Sequence, residues 1–198
     1  VDVYTPHTLA VTHMKGIDAS WYHPVGNALF EWRFAYGHQD ATLQASTFSY
    51  DATLDPLYGS TFSFTWPQAI LRYSYYRTSS SFSSKDMSLL QNYFQNLAST
   101  TDPFFERLAT NSGGKDQLVQ YHVLGGQYEW NEWTFISEFD YERPSESQFS
   151  VGFRGGYLSV ARQIGAFSVY GLGSFIKSRP ADHLYTDLET ARNIPAPD

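Results

Sequence analysis

A transmembrane antiparallel β-barrel, all-β in class, is what this sequence predicts, and three observations predict it. Apolar and polar residues alternate along eight separate runs, which is the two-residue period of a pleated strand. The apolar side of these runs is built from rings: the 198 residues include 15 Tyr, 15 Phe and 5 Trp, yet mean hydropathy is negative. The connections between runs alternate short and long. No stretch approaches the roughly 18 consecutive apolar residues of a spanning helix, so an α-helical membrane protein is excluded. A barrel strand needs only about 9 to 11 alternating residues and keeps one face polar.

The runs follow in order. In 16–22, Ile17, Ala19 and Trp21 oppose Asp18 and Ser20. In 28–37, Ala28, Phe30, Trp32, Phe34 and Tyr36 oppose Glu31 and Arg33. In 57–66, Tyr58, Phe62, Phe64 and Trp66 oppose Gly59, Thr61, Ser63 and Thr65. In 70–78, Leu71, Tyr73 and Tyr75 oppose Arg72 and Ser74. Run 118–130 sets Leu124, Gly126, Tyr128 and Trp130 against Val123, Gly125, Gln127 and Glu129. Run 133–142 sets Trp133, Phe135, Phe139 and Tyr141 against Thr134, Ile136, Glu138, Asp140 and Glu142. Runs 149–162 and 167–178 are glycine-rich, and their two faces are not separable by pattern, since Leu158 and Val160 share a side with Arg154 and Arg162.

The short connections are "HPVGN" (23–27), "PQA" (67–69), "NE" (131–132) and "QIGA" (163–166). Each is flanked by rings: Trp21 and Tyr22, Trp66, Trp130 and Trp133, Phe167. The long connections span 38–56 and 79–117, with a medium one near 143–148. Tight turns ringed by Trp and Tyr at one end, with long loops at the other, match a barrel with short periplasmic turns and an aromatic girdle. Segment 41–50 reads as extended loop, because a ninth strand would break the alternation. The predicted organisation is a single barrel domain, or a fragment of one, over 1–198, with 79–117 a long external loop. That loop holds a short helix at 85–98, where Met87, Leu90, Phe94 and Leu97 recur at helical spacing. It either caps the loop or folds into the lumen as a constriction. A soluble antiparallel sandwich also alternates, but its inner face favours Val, Ile and Leu and its strands do not carry charges mid-run.

Charge and motif content exclude several classes. Formal charge is −7, and the 13 Lys and Arg residues are dispersed, leaving no basic patch for nucleic acid. Without cysteine there is neither a disulfide framework nor a thiolate metal site. The start "VDVYTPHTLA" lacks signal-peptide features, which predicts a mature form or an internal piece. There is no G-x-S-x-G elbow, and "NSGGKDQ" (111–117) lacks the first glycine and final Ser/Thr of a phosphate loop. The histidines (His7, His13, His23, His38, His122, His183) share no metal-ligand spacing; His122 alone falls mid-strand, with no serine paired to it by sequence.

The segments "DASWYHPVGNALFEWRFAYG" (18–37), "LYGSTFSFTWPQAILRYSYYR" (57–77), "LGGQYEWNEWTFISEFDYER" (124–143) and "GGYLSVARQIGAFSVYGLGSF" (155–175) together resemble the Gram-negative general porins, in particular the phosphate-selective porin-like group. They cover about half the chain. Members of that family are about twice as long, close with about sixteen strands and end in an aromatic residue. This chain shows eight runs and ends "NIPAPD", as the middle of a longer porin would.

The resemblance implies an outer-membrane, bilayer-embedded homotrimer that passes small hydrophilic solutes or ions, without enzymatic turnover or cofactor. Pore-lining candidates are the strand charges Glu31, Arg33, Arg72, Glu129, Glu138, Asp140 and Arg143, which either filter solutes or pair between neighbouring strands. The girdle candidates are Trp21, Tyr22, Trp66, Trp130 and Trp133. The alternatives are a soluble all-β module whose rings stack on carbohydrate, and a small, non-conducting barrel anchoring a surface assembly.

Overall fold

The computed structural model describes residues 14–44, 49–83, 85–100, 103–112, 116–144, 152–179 and 189–190. Alternation, β-branched residues and rings produce eight strands: β1 (Lys15–Val25), β2 (Ala28–Gln44), β3 (Ser49–Trp66), β4 (Ala69–Ser83), β5 (Gln117–Trp130), β6 (Trp133–Pro144), β7 (Gly152–Ile164) and β8 (Phe167–Arg179). They form one antiparallel sheet in the order β1-β2-β3-β4-β5-β6-β7-β8, each strand bonded to its sequence neighbours. The sheet is not closed: β1 and β8 are its two edges.

Four two-residue turns occupy one end, at 26–27, 67–68, 131–132 and 165–166. Gly26 (φ 61°), Asn131 (φ 52°) and Gly165 (φ 60°) open three of them in the left-handed region, which hairpin geometry favours and these residue types tolerate. Pro67 opens the fourth and has its φ locked negative, so that turn is of another type.

The opposite end differs from expectation. Segment 38–56 is not a loop, because β2 and β3 stay paired as far as Gln44 and Ser49. Of the segment 41–50, residues 41–44 end β2 and 49–50 begin β3, and 45–48 lie outside the described residues. Asp55 and Pro56, joined by a cis bond, face one residue on each neighbouring strand, which makes a bulge. A bulge is where a sheet accepts proline, since no ladder N–H is then missed. The extra residue also brings Leu54 and Leu57 onto the same face, where both are buried.

Between β4 and β5 stand two helices, α1 (Lys85–Thr100) and α2 (Pro103–Ser112). α1 matches the predicted helix and half-buries Phe94 and Leu97; the side chains of Met87 and Leu90 lie outside the described residues. α2 was not anticipated. It buries Phe105, Leu108 and Ala109, an i, i+3, i+4 stripe. Pro103 at its first position and Gly113 and Gly114 just beyond its end were the available signals.

The left-handed turn residues make opposite demands on substitution. Asn131→Gly should leave the thermal midpoint of the strand circular-dichroism signal unchanged or raise it. Gly165→Val should lower stability by about 1–2 kcal/mol, because a β-branched residue resists positive φ.

Candidate functional site

Register, not pattern, decides what each face carries. One row of directly paired residues crosses all eight strands as Trp21, Trp32, Phe62, Tyr73, Leu124, Phe139, Gly156 and Phe175. The adjacent row, on the opposite face, runs Tyr22, Glu31, Ser63, Arg72, Gly125, Glu138, Tyr157 and Ser174. The next row on that polar face includes Arg33, Thr61, Ser74 and Asp140. Five of the seven predicted strand charges (Glu31, Arg33, Arg72, Glu138 and Asp140) therefore gather in two neighbouring rows. Glu129 shares their face nearer the turns, opposite Thr134.

Two predicted placements are corrected. Arg143 pairs with Gln120 and lies two positions beyond Tyr141, so it belongs to the aromatic face and not with Glu138 and Asp140. Tyr22 is on the polar face, where its hydroxyl donates to Glu31 Oε1 at 3.1 Å, so it is no member of the ring of tryptophans. Pairing also orients the last two strands. Leu158 and Val160 are on the aromatic face with Arg154 and Arg162 at either end of them, and Tyr157 is on the polar face. β8 remains apolar on both sides, with Tyr170, Leu172 and Ile176 exposed on the polar face.

All five tryptophans (Trp21, Trp32, Trp66, Trp130 and Trp133) stand on the aromatic face. Trp66, Trp130 and Trp133 adjoin two-residue turns, and Trp21 and Trp32 oppose one another further up the first hairpin. Their rings stack into neighbours: Trp32 lies 6.4 Å from Phe62 at an interplanar angle of 3°, and Trp133 lies 6.4 Å from Phe135. A second belt, which the sequence reading did not single out, consists of Tyr36, Tyr58, Tyr75 and Tyr141 toward the other end. The signal for it was an interval: Tyr58 and Trp66, like Trp133 and Tyr141, are eight residues apart, which spans about 27 Å of strand. His122 sits in this belt with its Nδ1 2.9 Å from the Tyr73 hydroxyl.

Burial runs opposite to that of a soluble sheet. On the aromatic face Trp21 is 53% exposed, Leu124 50% and Phe167 76%, whereas Ser63 and Ser74 on the polar face are buried. Charge is divided too. From β4 to β8 the polar face carries Glu129, Glu138, Asp140 and Glu142 against Arg72 alone, while the aromatic face of these same strands has no carboxylate among the described residues. Asp40 and Asp51 stand on that face in β2 and β3. Glu138 Oε1 and Asp140 Oδ1 are buried without a hydrogen-bond partner. Gly125, between Arg72 and Glu138 in their row, leaves open the space a side chain would fill, since a Cβ there would come 3.5 Å from Glu138 Oε2. Cross-strand pairing holds at β1–β2, where Arg33 Nε donates to Asp18 Oδ2 at 2.8 Å and Oδ1 at 3.0 Å. These wall charges can attract, repel and order ions. Among the described residues no group of three His, Asp or Glu side chains is arranged to hold a metal, and His7, His13 and His183 lie outside the described residues.

Gly156 lies between Phe139 and Phe175 in the aromatic row, and those two rings lie 6.4 Å apart. A Cβ on Gly156 would meet Glu138 O at 2.7 Å. Gly156→Val should therefore lower stability by about 1–3 kcal/mol through overpacking, read from the thermal midpoint in detergent micelles. Gly173→Val in β8 meets nothing within 4 Å and should leave the midpoint nearly unchanged.

Comparison with family models, curated proteins and solved structures finds no match to this chain.

Proposed function

We propose that this chain supplies eight adjacent strands to an outer-membrane porin, a β-barrel whose polar face lines a water-filled channel for passive diffusion of small hydrophilic solutes and ions. The observation that carries this reading is the inverted burial: rings and aliphatic side chains are exposed on one face, and hydroxyls and charges are sheltered on the other. Exposed apolar surface of this extent in water marks an interaction site, and hydrocarbon is the solvent for which a two-girdled aromatic band is suited. The interval between the tryptophan and tyrosine belts, about 27 Å along a strand, becomes about 19–22 Å of height once strands tilt as in barrels, close to the usual apolar band.

The open edges β1 and β8 belong to the same reading. Unpaired ladder groups cannot stay in hydrocarbon, so the barrel needs further strands to close. The homotrimer follows from the resemblance to the general porins. The wall offered by these strands is acidic, because Asp18 neutralises Arg33 while Glu138, Asp140 and Glu142 outnumber Arg72. Rings of carboxylates favour cations, so this wall favours cation passage.

Tryptophan quenching tests the membrane reading. In reconstituted protein, phosphatidylcholine brominated in its acyl chains should quench most of the emission, while aqueous acrylamide should quench little. Strong acrylamide quenching, with the protein soluble without detergent, would sink the porin reading and favour a carbohydrate-binding module. Conduction is tested separately in planar bilayers, where Glu138→Gln/Asp140→Asn should lower the cation-to-anion permeability ratio several-fold at low salt. An unchanged ratio would mean that these carboxylates do not face the ion path.

A further inference from the structure

On β4 to β8, at the end opposite the two-residue turns, four cations of the aromatic face share the two register rows of the tyrosine belt. Arg77 and Arg143 lie in the row of Tyr58, and Arg154 and Lys177 in the row of Tyr75 and Tyr141. Arg77 and Arg143 share one register row on either side of Gln120. That places their backbones two strands apart, about 10 Å. Arg154 pairs directly with Lys177 on one side and with Tyr141 on the other, two residues from Arg143.

Two features set these cations apart from ordinary surface charge. Like charges directly opposite on a sheet repel, and Arg154 and Lys177 are such a pair. Among the described residues no carboxylate reaches ion-pair distance of any of the four, and the sheet's acidic side chains nearby are on the other face. Arg77 holds its guanidinium 5.9 Å from the Tyr58 ring, with Nε buried and unpartnered. At the turn end the arrangement is different: Arg162 lies over Trp133 at 5.2 Å and donates to Glu132 at 3.3 Å, so that cation is already neutralised.

We propose that Arg77, Arg143, Arg154 and Lys177 form a binding site for the phosphates of an anionic lipid in the leaflet at the long-connection end of the sheet. The inference rests on the membrane reading above. Continuity with the apolar band places these cations where headgroups begin. Among the described residues none of the four has a carboxylate within ion-pair distance, unlike Lys15, which reaches Asp40 on the same face. Guanidinium groups grip phosphate oxygens in pairs, and a phosphate beside Arg154 and Lys177 turns their mutual repulsion into attraction.

Electron spin resonance of the reconstituted protein tests this, using spin-labelled phosphatidic acid and spin-labelled phosphatidylcholine as probes. The motionally restricted fraction around the wild-type protein should favour phosphatidic acid about five- to tenfold at low salt. The preference should fall toward unity in Arg143→Gln/Arg154→Gln/Lys177→Gln and at high salt, and should persist in Arg162→Gln. Equal restriction of both probes by the wild-type protein, or a preference that survives the triple change, overturns the proposal. Unchanged restriction of phosphatidylcholine shows that the triple variant is still embedded. Failure of the membrane reading would appear differently, as no restricted lipid of either kind.

Discussion

The described strands make one sheet, and its antiparallel backbone ladder carries the fold. Each strand is bonded to its sequence neighbours, and every side chain's face follows from which residue it opposes. A slip of one residue anywhere would exchange the aromatic row for the charged one. The tight turns at 26–27, 67–68, 131–132 and 165–166 pin the register at one end. The bulge at Asp55 and Pro56 is the main adjustment at the other. The ladder therefore fixes the division between a wall of rings and a wall of charges.

That division organises the electrostatics. Carboxylates of β5 and β6 point to one side and the cations in the tyrosine-belt rows of β4, β6, β7 and β8 point to the other, so this part of the sheet separates charge across its own thickness. In the reading proposed here, the acidic side meets water and the basic fringe meets headgroups. The same pleat that makes two solvents tolerable thus also gives each solvent its own sign of charge. At β1–β2 the separation relaxes, because Asp18 and Arg33 neutralise one another on a single face.

The edges show what the ladder leaves unfinished. Every residue of β1 is exposed, and β8 carries apolar residues on both faces. β8 has no proline to blunt it as a soluble edge would be, and the proline of β1, Pro24, stands beside the turn and leaves the rest of that edge open. In a closed barrel both would be interior strands, which accounts for their length and their apolar character.

Much of this was legible in the chain by itself. The six clean alternating runs all became strands, since a two-residue period survives any tertiary arrangement. However, β2, β3 and β4 run well past the expected bounds at the end opposite the two-residue turns, to Gln44, Ser49 and Ser83. Asn131–Glu132 between Trp130 and Trp133 became a hairpin turn, as local backbone preference dictates. The helix at α1 followed from its spacing. Other features depended on partners remote in sequence. Residues 39–44 and 49–56 look like loop because their polar and proline content hides a strand that forms only by pairing with its neighbours. Arg143 and Tyr22 went to faces that a charge-and-ring census misread and only register corrects. The glycine-rich β7 and β8 had too little side-chain contrast to show a face until β6 oriented them. Local periodicity and turn chemistry are properties of the chain, whereas the face, the row and the company of each charge are properties of pairing. The sequence by itself determined which stretches are strands, and the tertiary ladder decided what each of them presents and to which side.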